Sequence, residues 1–205
     1  MKNNGLLIVI SGPSGVGKGT VLAEYRKTHD NLHMSVSATT RNPRPGEIDG
    51  KDYYFISREK FDTMVAQGEM FEYAIYGDNC YGTPKKPVEE KIKQGIDVIL
   101  EIEVQGAMQV RNASPEAVLI FIMPPSFEVL KNRLVGRNTE TIEAVNKRLS
   151  AAQAEIASAG DYDFVILNDD VDRAVAKLSA VIEAARYSGE RIRWLVDAVS
   201  KTNKN

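Results

Sequence analysis

Apolar residues along the chain alternate between short continuous runs and longer segments with helical spacing. Four runs, at residues 6–10, 98–102, 118–122 and 164–167, consist mainly of valine, isoleucine, leucine and phenylalanine. Runs of this length without polar alternation are typical of strands that are buried on both faces of a parallel sheet. These segments therefore predict the central strands of one sheet.

Helical patterns lie between and after these runs. The predicted helices span residues 17–27, 105–111, 127–134, 141–157 and 171–187, and a short extra helix is expected after residues 188–189. Strands that alternate with helices indicate crossover units, in which helices cover both faces of a parallel sheet. The pattern predicts an α/β fold of three layers with a mostly parallel central sheet.

Residues 37–88 interrupt this alternation. They are rich in proline, glycine and charge and then contain short apolar pieces at 53–56 and 70–75, which predicts an inserted lobe of antiparallel strands. A second irregular stretch, VGRNTETIEAVNKR, carries Arg137 and Arg148 and is typical of a lid, which we assign to residues 133–147. The expected organisation is one domain over about 5–187, with core segments 1–36, 89–132 and 148–205 around the lobe and the lid.

Composition and charge exclude several functional classes. The formal net charge of -2 provides no basic excess for binding a nucleic-acid backbone. Cys80 is the only cysteine, so an intrachain disulfide and a cysteine-based zinc site are excluded. No run approaches the roughly 20 apolar residues of a membrane span, and the first apolar run is too short for a signal peptide. We expect a cytoplasmic protein without nucleic-acid or membrane partners; its oligomeric state is not predicted.

The stretch GPSGVGKGT, residues 12–20, joins the first predicted strand to the first helix. Gly12, Gly17 and Lys18 match seven positions of the phosphate-loop pattern G-x-x-x-x-G-K-[ST]. Backbone N–H groups of such a loop and the helix N-terminus bind phosphates, and Lys18 would reach the β- and γ-phosphates. The candidate ATP-binding residues here are Gly12, Pro13, Ser14, Gly15, Val16, Gly17, Lys18, Gly19 and Thr20.

The eighth position of the loop pattern is unusual, because Gly19 stands where serine or threonine is expected. Thr20 is displaced by one residue, which rotates its hydroxyl by about 100° around the helix. Mg²⁺ takes few direct protein ligands and keeps several waters beside substrate phosphates. We therefore expect the ion to be held mainly by phosphates and water, with Thr20 or a nearby carboxylate such as Glu101 assisting.

The inserted lobe contains candidates for a second phosphate site. Arg41 and Arg44 lie three residues apart, and Tyr53 follows nine residues later. Two guanidinium groups and a phenol can bind a terminal phosphate through charge-assisted hydrogen bonds. Two arginines alone would indicate a solvated basic turn, but their combination with a phosphate loop favours an acceptor phosphate site.

Six segments together resemble the guanylate kinases, of the bacterial type. They are GPSGVGKGT, SVSATTRNPRPGEIDGKDYYF, GEMFEYAIYGDNCYGTP, LEIEVQGA, NTETIEAVNKRLSAAQAE and NDD, in the expected order from residue 6 to about 187. The resemblance implies a phosphate-loop fold with a GMP-binding lobe and a helical lid. It also implies transfer of a phosphoryl group from ATP to GMP with Mg²⁺, giving ADP and GDP in purine nucleotide metabolism.

The resemblance assigns roles to individual residues. Glu72 matches the position that binds the guanine edge, where two carboxylate oxygens can accept from N1–H and N2–H₂, whereas adenine offers an acceptor at N1. Ser37 and Thr83 match hydroxyl contacts to the base, and Glu103 matches an acidic residue near it. The positions that match the GMP phosphate site are Arg41, Arg44, Tyr53 and Tyr81. Lys18, Arg41, Arg133, Arg137 and Arg148 match the catalytic positions around the transferring group, and Asn168 matches a residue near adenine.

The sequence departs from the family pattern at three places. LEIE stands where LDID is expected, so Glu101 and Glu103 are each one methylene longer. Asn138 occupies a lid position that is usually glycine, and residues 188–205 lie beyond the resemblance. The departures leave the charge of the acidic residues unchanged.

Two alternative functions remain at this stage. One is another nucleoside monophosphate kinase, acting on AMP, UMP or dTMP, because a loop ending in GKGT suits those enzymes equally well. The other is a guanylate-kinase-like module that binds phosphopeptides, although the intact loop with Lys18 argues against it. A panel of monophosphates in a coupled assay distinguishes the kinases from one another, and ATP-dependent turnover of GMP distinguishes the enzyme from the binding module.

Overall fold

The computed structural model describes residues 4–135, 142–189 and 191–201. The strands are β1 (Leu7–Ser11), β2 (Leu32–Met34), β3 (Ala38–Thr39), β4 (Tyr54–Phe55), β5 (Met70–Tyr76), β6 (Asn79–Pro84), β7 (Asp97–Glu101), β8 (Val118–Met123) and β9 (Phe164–Leu167). The helices are α1 (Lys18–Arg26), α2 (Arg58–Ala66), α3 (Lys85–Lys93), α4 (Val104–Ala113), α5 (Phe127–Val135), α6 (Ile142–Ala157), α7 (Val171–Arg186) and α8 (Arg193–Lys201), with a 3₁₀ turn at Ser158–Asp161.

The central sheet has the strand order β2-β7-β1-β8-β9, and all of its pairs are parallel. The four apolar runs form β1, β7, β8 and β9, which confirms the predicted mostly parallel sheet. The edge strand β2 was not predicted, because its three residues are only partly buried and leave no continuous apolar run. Parallel pairing brings the carboxyl ends of β1, β7 and β8 to one edge of the sheet.

Side chains of β1 alternate between two cores, one on each face of the sheet. Ile8 and Ile10 pack with residues of α1, α5, α6 and α7, whereas Leu7 and Val9 pack on the other face with residues such as Phe71 and Val110. Both faces are therefore covered, and the predicted three-layer α/β fold is confirmed.

A second sheet lies within the segment predicted as an inserted lobe, with the order β4-β3-β6-β5. The pairs β5–β6 and β3–β6 are antiparallel, as expected. The pair β3–β4 is parallel, so the prediction of an antiparallel lobe is wrong there. The long connection between these strands, residues 40–53, lets the chain return in the same direction.

The predicted helices are found with ends shifted by only a few residues, although residue 141 lies outside the described part of the chain. Two helix starts have a side-chain cap: Ser57 accepts from the backbone N–H of Lys60 before α2, and Asp170 accepts from that of Arg173 before α7. Two helices were not predicted: α2, which packs against β5 of the second sheet, and α3, which packs against β7 of the central sheet. None of the helices in the described ranges has the length and apolar character needed to cross a membrane.

Candidate functional site

The loop between β1 and α1 requires glycine for its backbone course. Gly12, Gly15 and Gly17 have φ values of 146°, 81° and 99°, a region that side chains disfavour. A Cβ on Gly12 would lie 2.4 Å from the carbonyl oxygen of Ile122, and one on Gly17 would lie 2.8 Å from Nδ2 of Asn168. The loop is therefore packed against β8 and the end of β9, and its shape requires residues without a Cβ at these positions.

The start of α1 provides backbone donors for an anion. The N-cap residue, Gly17, makes no side-chain cap hydrogen bond, and the first N–H groups of the helix lie before any intrahelical acceptor. These groups border a cavity of about 740 Å³, within the usual size range of ligand sites. The cavity is lined by Ser14, Gly15, Gly17, Lys18, Gly19, Thr20, Glu101, Arg133, Asn168, Asp169, Asp170 and Val171.

Lys18 is folded into the phosphate loop. Its ammonium donates to the carbonyl oxygens of Gly12 at 2.6 Å and Pro13 at 3.4 Å. Burial lowers the pKa of Lys18, and the charge of Glu101 opposes this shift. Neutral carbonyls are weaker partners for an ammonium than a phosphate is, so Lys18 can exchange them for a phosphate by side-chain rotation.

Asn168 and Arg133 hold the loop from the other side. Asn168 is buried and donates through Nδ2 to the carbonyl oxygen of Val16 at 2.8 Å. Arg133 donates to the same oxygen at 2.9 Å and to the carbonyl oxygen of Asn168 at 3.4 Å. Both residues border the cavity, but in this conformation they position the loop.

The helix α6 contributes two residues beside the loop. Arg148 donates to Oγ of Ser14 at 3.1 Å, and a carboxylate oxygen of Glu155 accepts from the Ser14 backbone N–H at 3.4 Å. Burial raises the pKa of Glu155. Glu155 was missed by the sequence reasoning, although its spacing of seven from Arg148 puts both on one helix face. Arg137 and Asn138 lie outside the described residues.

A second cavity, of about 320 Å³, lies between the small sheet and the carboxyl end of β7. Glu101 lines this cavity and the first one, so the two adjoin at the end of β7. The second cavity is lined by Ser37, Tyr53, Glu72, Ala74, Tyr76, Tyr81, Gly82, Glu101, Ile102, Glu103, Gln105 and Gly106. Five of the residues that the sequence assigned to the acceptor site thus share one cavity: Ser37, Tyr53, Glu72, Tyr81 and Glu103.

Glu72 is a buried carboxylate, only 7% exposed. The hydroxyl of Thr83 donates to its Oε1 at 2.6 Å. Burial raises the pKa of Glu72, the Thr83 hydrogen bond opposes this, and the nearby charge of Glu103 adds to the rise. Oε2 lies so close to α4 that a Cβ on Gly106 would be 2.8 Å from it. The carboxylate is therefore held in one orientation at the wall of the cavity.

Arg41 is paired with Glu47, a residue that sequence reasoning did not assign. Both terminal nitrogens of Arg41 donate to the Glu47 carboxylate at 2.7 Å. These bonds, together with the backbone N–H of Arg44, lower the pKa of Glu47 to about 2. The guanidinium also lies 5.1 Å from the centre of the Tyr53 ring. The pair forms a rigid corner beside the second cavity, with Arg44 exposed on the same turn.

Tyr76 connects the small sheet to the end of β7. Its hydroxyl donates to Oε2 of Glu103, and burial together with this carboxylate raises the pKa of Tyr76. Tyr76 was also missed. Its place in β5, four residues after Glu72, puts both side chains on the same face of the strand, which is the signal that could have found it.

Comparisons with known proteins agree with this geometry. The family model "Guanylate kinase" matches residues 4–185. A guanylate kinase from Halalkalibacterium halodurans is 52% identical over 191 residues, which cover 93% of this chain and 94% of the relative. One from Clostridioides difficile is 50% identical over 192 residues, with 94% of each covered.

A solved structure also matches. The crystal structure of guanylate kinase from Anaplasma phagocytophilum has a TM-score of 0.72 and 36% sequence identity, covering 96% of this chain and 95% of that chain. The match in sequence and in structure extends over the phosphate loop, the small sheet and the central sheet together. The chain belongs to the guanylate kinase family.

Proposed function

We propose that this protein transfers the γ-phosphoryl group of ATP to GMP, giving ADP and GDP. One observation carries the proposal: a cavity built on a phosphate loop adjoins a cavity built on a buried carboxylate, and Glu101 lines both. Two nucleotides bound in this way would meet with their phosphates between the cavities. Most residues of the proposed site belong to one cavity or the other.

The loop of residues 12–17 and the start of α1 suit the donor nucleotide. Their backbone N–H groups and helix N-terminus favour an anion, and Lys18 supplies a positive charge that can move from loop carbonyls to a phosphate. Arg133 and Arg148 contact the loop from α5 and α6. We assign these residues to charge neutralisation around the transferring group, together with Arg137.

Glu72 suits guanine better than the other common bases. One carboxylate can accept from N1–H and N2–H₂ of guanine at once, whereas adenine would place a lone pair against a buried negative charge. A site of this type discriminates by ~10⁴ or more, because the wrong base leaves buried polar groups unpaired. Thr83 orients one oxygen, and Ser37 and Glu103 share the cavity. This observation favours GMP over AMP and over the pyrimidine monophosphates.

The acceptor phosphate is assigned to Arg41, Arg44, Tyr53 and Tyr81. The guanidinium of Arg41 is ordered against the ring of Tyr53, whose centre lies 6.1 Å from that of Tyr81. The attacking group is already a phosphate oxyanion, so the reaction needs no dedicated general base. Catalysis then consists of positioning and charge neutralisation, which are the main contributions of protein groups to phosphoryl transfer.

The site fits Mg²⁺ bound together with ATP. Thr20 and Glu101 offer hard oxygen ligands at the donor cavity, and a Cβ on Gly19 would lie 4.0 Å from Oε1 of Glu101. The described residues contain no group of three or more potential ligands among His, Cys, Asp and Glu. The ion would therefore be shared with phosphate oxygens and water. When bound, it neutralises phosphate charge during transfer.

A panel of acceptors tests the proposal. ADP formation from ATP is measured with GMP, AMP, UMP and dTMP by a coupled assay. With GMP as the substrate, we assign the reaction to purine nucleotide metabolism in the cytoplasm. We expect GMP to be used with a kcat/KM about 10⁴ times that for AMP or more. Comparable rates with another monophosphate would contradict the assignment of Glu72. Absence of ADP formation with all four monophosphates would contradict the enzyme itself and favour a binding module.

A further inference from the structure

The strand that carries Glu72 contains a bulge directly before this residue. In the pairing of β5 with β6, Met70 lies opposite Pro84 and Glu72 lies opposite Thr83, so Phe71 is an additional residue. A bulge of this kind re-aims the side chains that follow it. Phe71 packs into the core under the central sheet, while Glu72 lines the acceptor cavity.

A side-chain amide of α4 closes the free edge of this strand. β5 is the last strand of the small sheet, so among the described residues no strand pairs with the other side of its backbone. The N–H of Tyr73 donates to Oε1 of Gln109 at 3.0 Å, and Nε2 of Gln109 donates to the carbonyl oxygen of Tyr73 at 3.0 Å. The amide offers a donor and an acceptor in one plane, as a paired peptide would.

Gln109 belongs to a row of three residues, on α4 and at its N-cap, that contact β5. Glu103, Gly106 and Gln109 follow each other at intervals of three and therefore lie along one side of the helix. Glu103 accepts from Tyr76, Gly106 leaves room for the Glu72 carboxylate, and Gln109 pairs with Tyr73. The helix thus sets the placement of Glu72 relative to Glu103.

We propose that Gln109 is a positioning residue for guanine recognition, and this inference rests on the proposed function. By pairing with both backbone groups of Tyr73, it fixes the backbone of β5 against α4 immediately after the bulge, whereas the pairing with β6 sets the register. Loss of this anchor loosens the backbone next to Glu72, so the carboxylate is held less firmly at the guanine position. Gln109 itself does not line the acceptor cavity.

The variant Gln109→Met keeps the length of the side chain and removes both hydrogen bonds. We expect KM for GMP to rise about 3- to 10-fold, the scale of one or two neutral hydrogen bonds, while KM for ATP changes by less than about twofold. Discrimination against IMP, which lacks the N2 amino group of guanine, should fall because Glu72 is held less firmly. The variant Gln109→Glu keeps the acceptor for the Tyr73 N–H but sets a carboxylate oxygen against the Tyr73 carbonyl oxygen, so it should also raise KM for GMP.

A matched control comes from the same helix. Arg111 donates to the carbonyl oxygens of Pro115 and Ala117 and to the carboxylate of Asp163, away from β5. Arg111→Met therefore removes several contacts of α4 without touching the small sheet. We expect it to lower the melting temperature and to leave KM for GMP and the GMP-to-IMP ratio unchanged.

Steady-state kinetics and amide hydrogen exchange test whether Gln109 positions Glu72 for guanine recognition. We expect protection of the Tyr73 amide to fall in Gln109→Met but not in Arg111→Met, together with the selective rise in KM for GMP. Unchanged GMP kinetics in a folded Gln109→Met protein, an equal change in Arg111→Met, or unfolding of both Gln109 variants would overturn the inference. If the wild-type protein itself does not phosphorylate GMP, the proposed function fails instead.

Discussion

Glu72 combines burial with a requirement for charge. A carboxyl group in an apolar wall prefers the neutral form, and burial raises the pKa of Glu72 despite the Thr83 hydrogen bond. Acceptance from two guanine donors requires the ionised form. The raised pKa therefore sets an acid limit on GMP recognition above 4.5, the ordinary pKa of a glutamate.

This limit predicts a pH dependence that a single substitution removes. As pH falls through the raised pKa, Glu72 takes up a proton and kcat/KM for GMP should decrease, while KM for ATP stays constant. Glu72→Gln should lower kcat/KM for GMP by 10²-fold or more at neutral pH and should lose this acid limb. The second ionisation of the GMP phosphate, near pH 6, remains in both proteins and serves as the internal control. Identical pH profiles would contradict the role of Glu72.

At the scale of elements, the site depends on how loops and helices meet the end of the central sheet. The phosphate loop packs against β8 through Gly12, and α4 packs against β5 through Gly106. At both places a hydrogen atom stands where a Cβ would collide with a neighbouring element. Close packing of the sheet end therefore sets the relative position of the donor and acceptor groups.

A pair of glycine substitutions tests this packing. Gly12→Ala places a Cβ 2.4 Å from the carbonyl oxygen of Ile122 at a φ of +146°, whereas Gly68→Ala meets nothing within 4 Å at a φ of +69°. We expect Gly12→Ala to lose at least 10²-fold in kcat and to melt at a lower temperature. Gly68→Ala should lose about 1 kcal/mol of stability from backbone strain alone and keep its activity. Near-normal turnover of Gly12→Ala would contradict the loop assignment.

At the scale of the whole molecule, a buried ion pair ties the last long helix to the sheet. Asp97 at the start of β7 accepts from the backbone N–H of Leu6 at 2.8 Å and pairs with Arg186 of α7. The side chain of Asp97 is 5% exposed, and that of Arg186 is 33% exposed. Removal of the arginine would leave a carboxylate buried without its counter-charge.

We therefore expect Arg186→Met to destabilise the fold by about 1–3 kcal/mol. This loss is smaller than that from breaking a fully buried ion pair, because Arg186 is partly solvated. The melting temperature should fall by about 2–4 °C for each kcal/mol. Arg111→Met, which breaks a more exposed pair with Asp163, should cost less. Differential scanning calorimetry of the two variants measures both values, and an equal or smaller loss in Arg186→Met would contradict the importance of the Asp97 pair.

The sequence predicted the features that depend on local pattern. Long apolar runs gave β1, β7, β8 and β9, and helical periodicity gave α1 and α4 to α7, because burial on both faces and amphipathic spacing leave a continuous signal. The sequence did not predict the strand β2 or the helices α2 and α3, because short, half-buried segments carry little hydrophobic periodicity.

The residues of the candidate site also fall into those that a local sequence pattern predicted and those that it did not. The loop glycines and Lys18 form one contiguous motif, and Arg41, Arg44 and Tyr53 were proposed from their residue types and spacing. The other acceptor residues were assigned only through resemblance to a family.

Glu155 and Gln109 were missed because each contacts the backbone of a residue that is brought close only by the fold. Glu47 was missed although it lies only six residues after Arg41, because a single acidic residue in a charged turn forms no motif. A glutamine that pairs with a strand edge 36 residues away leaves no pattern in the sequence.

The most direct test follows the phosphoryl group itself. ATP labelled at the γ-phosphate is incubated with the protein and GMP, and the labelled products are separated. We predict that the label appears in GDP, that Lys18→Ala abolishes this transfer while remaining folded, and that AMP accepts at least 10⁴ times less efficiently. Label released only as inorganic phosphate, or transferred to AMP as readily as to GMP, would contradict a site that binds two nucleotides and is selective for guanine.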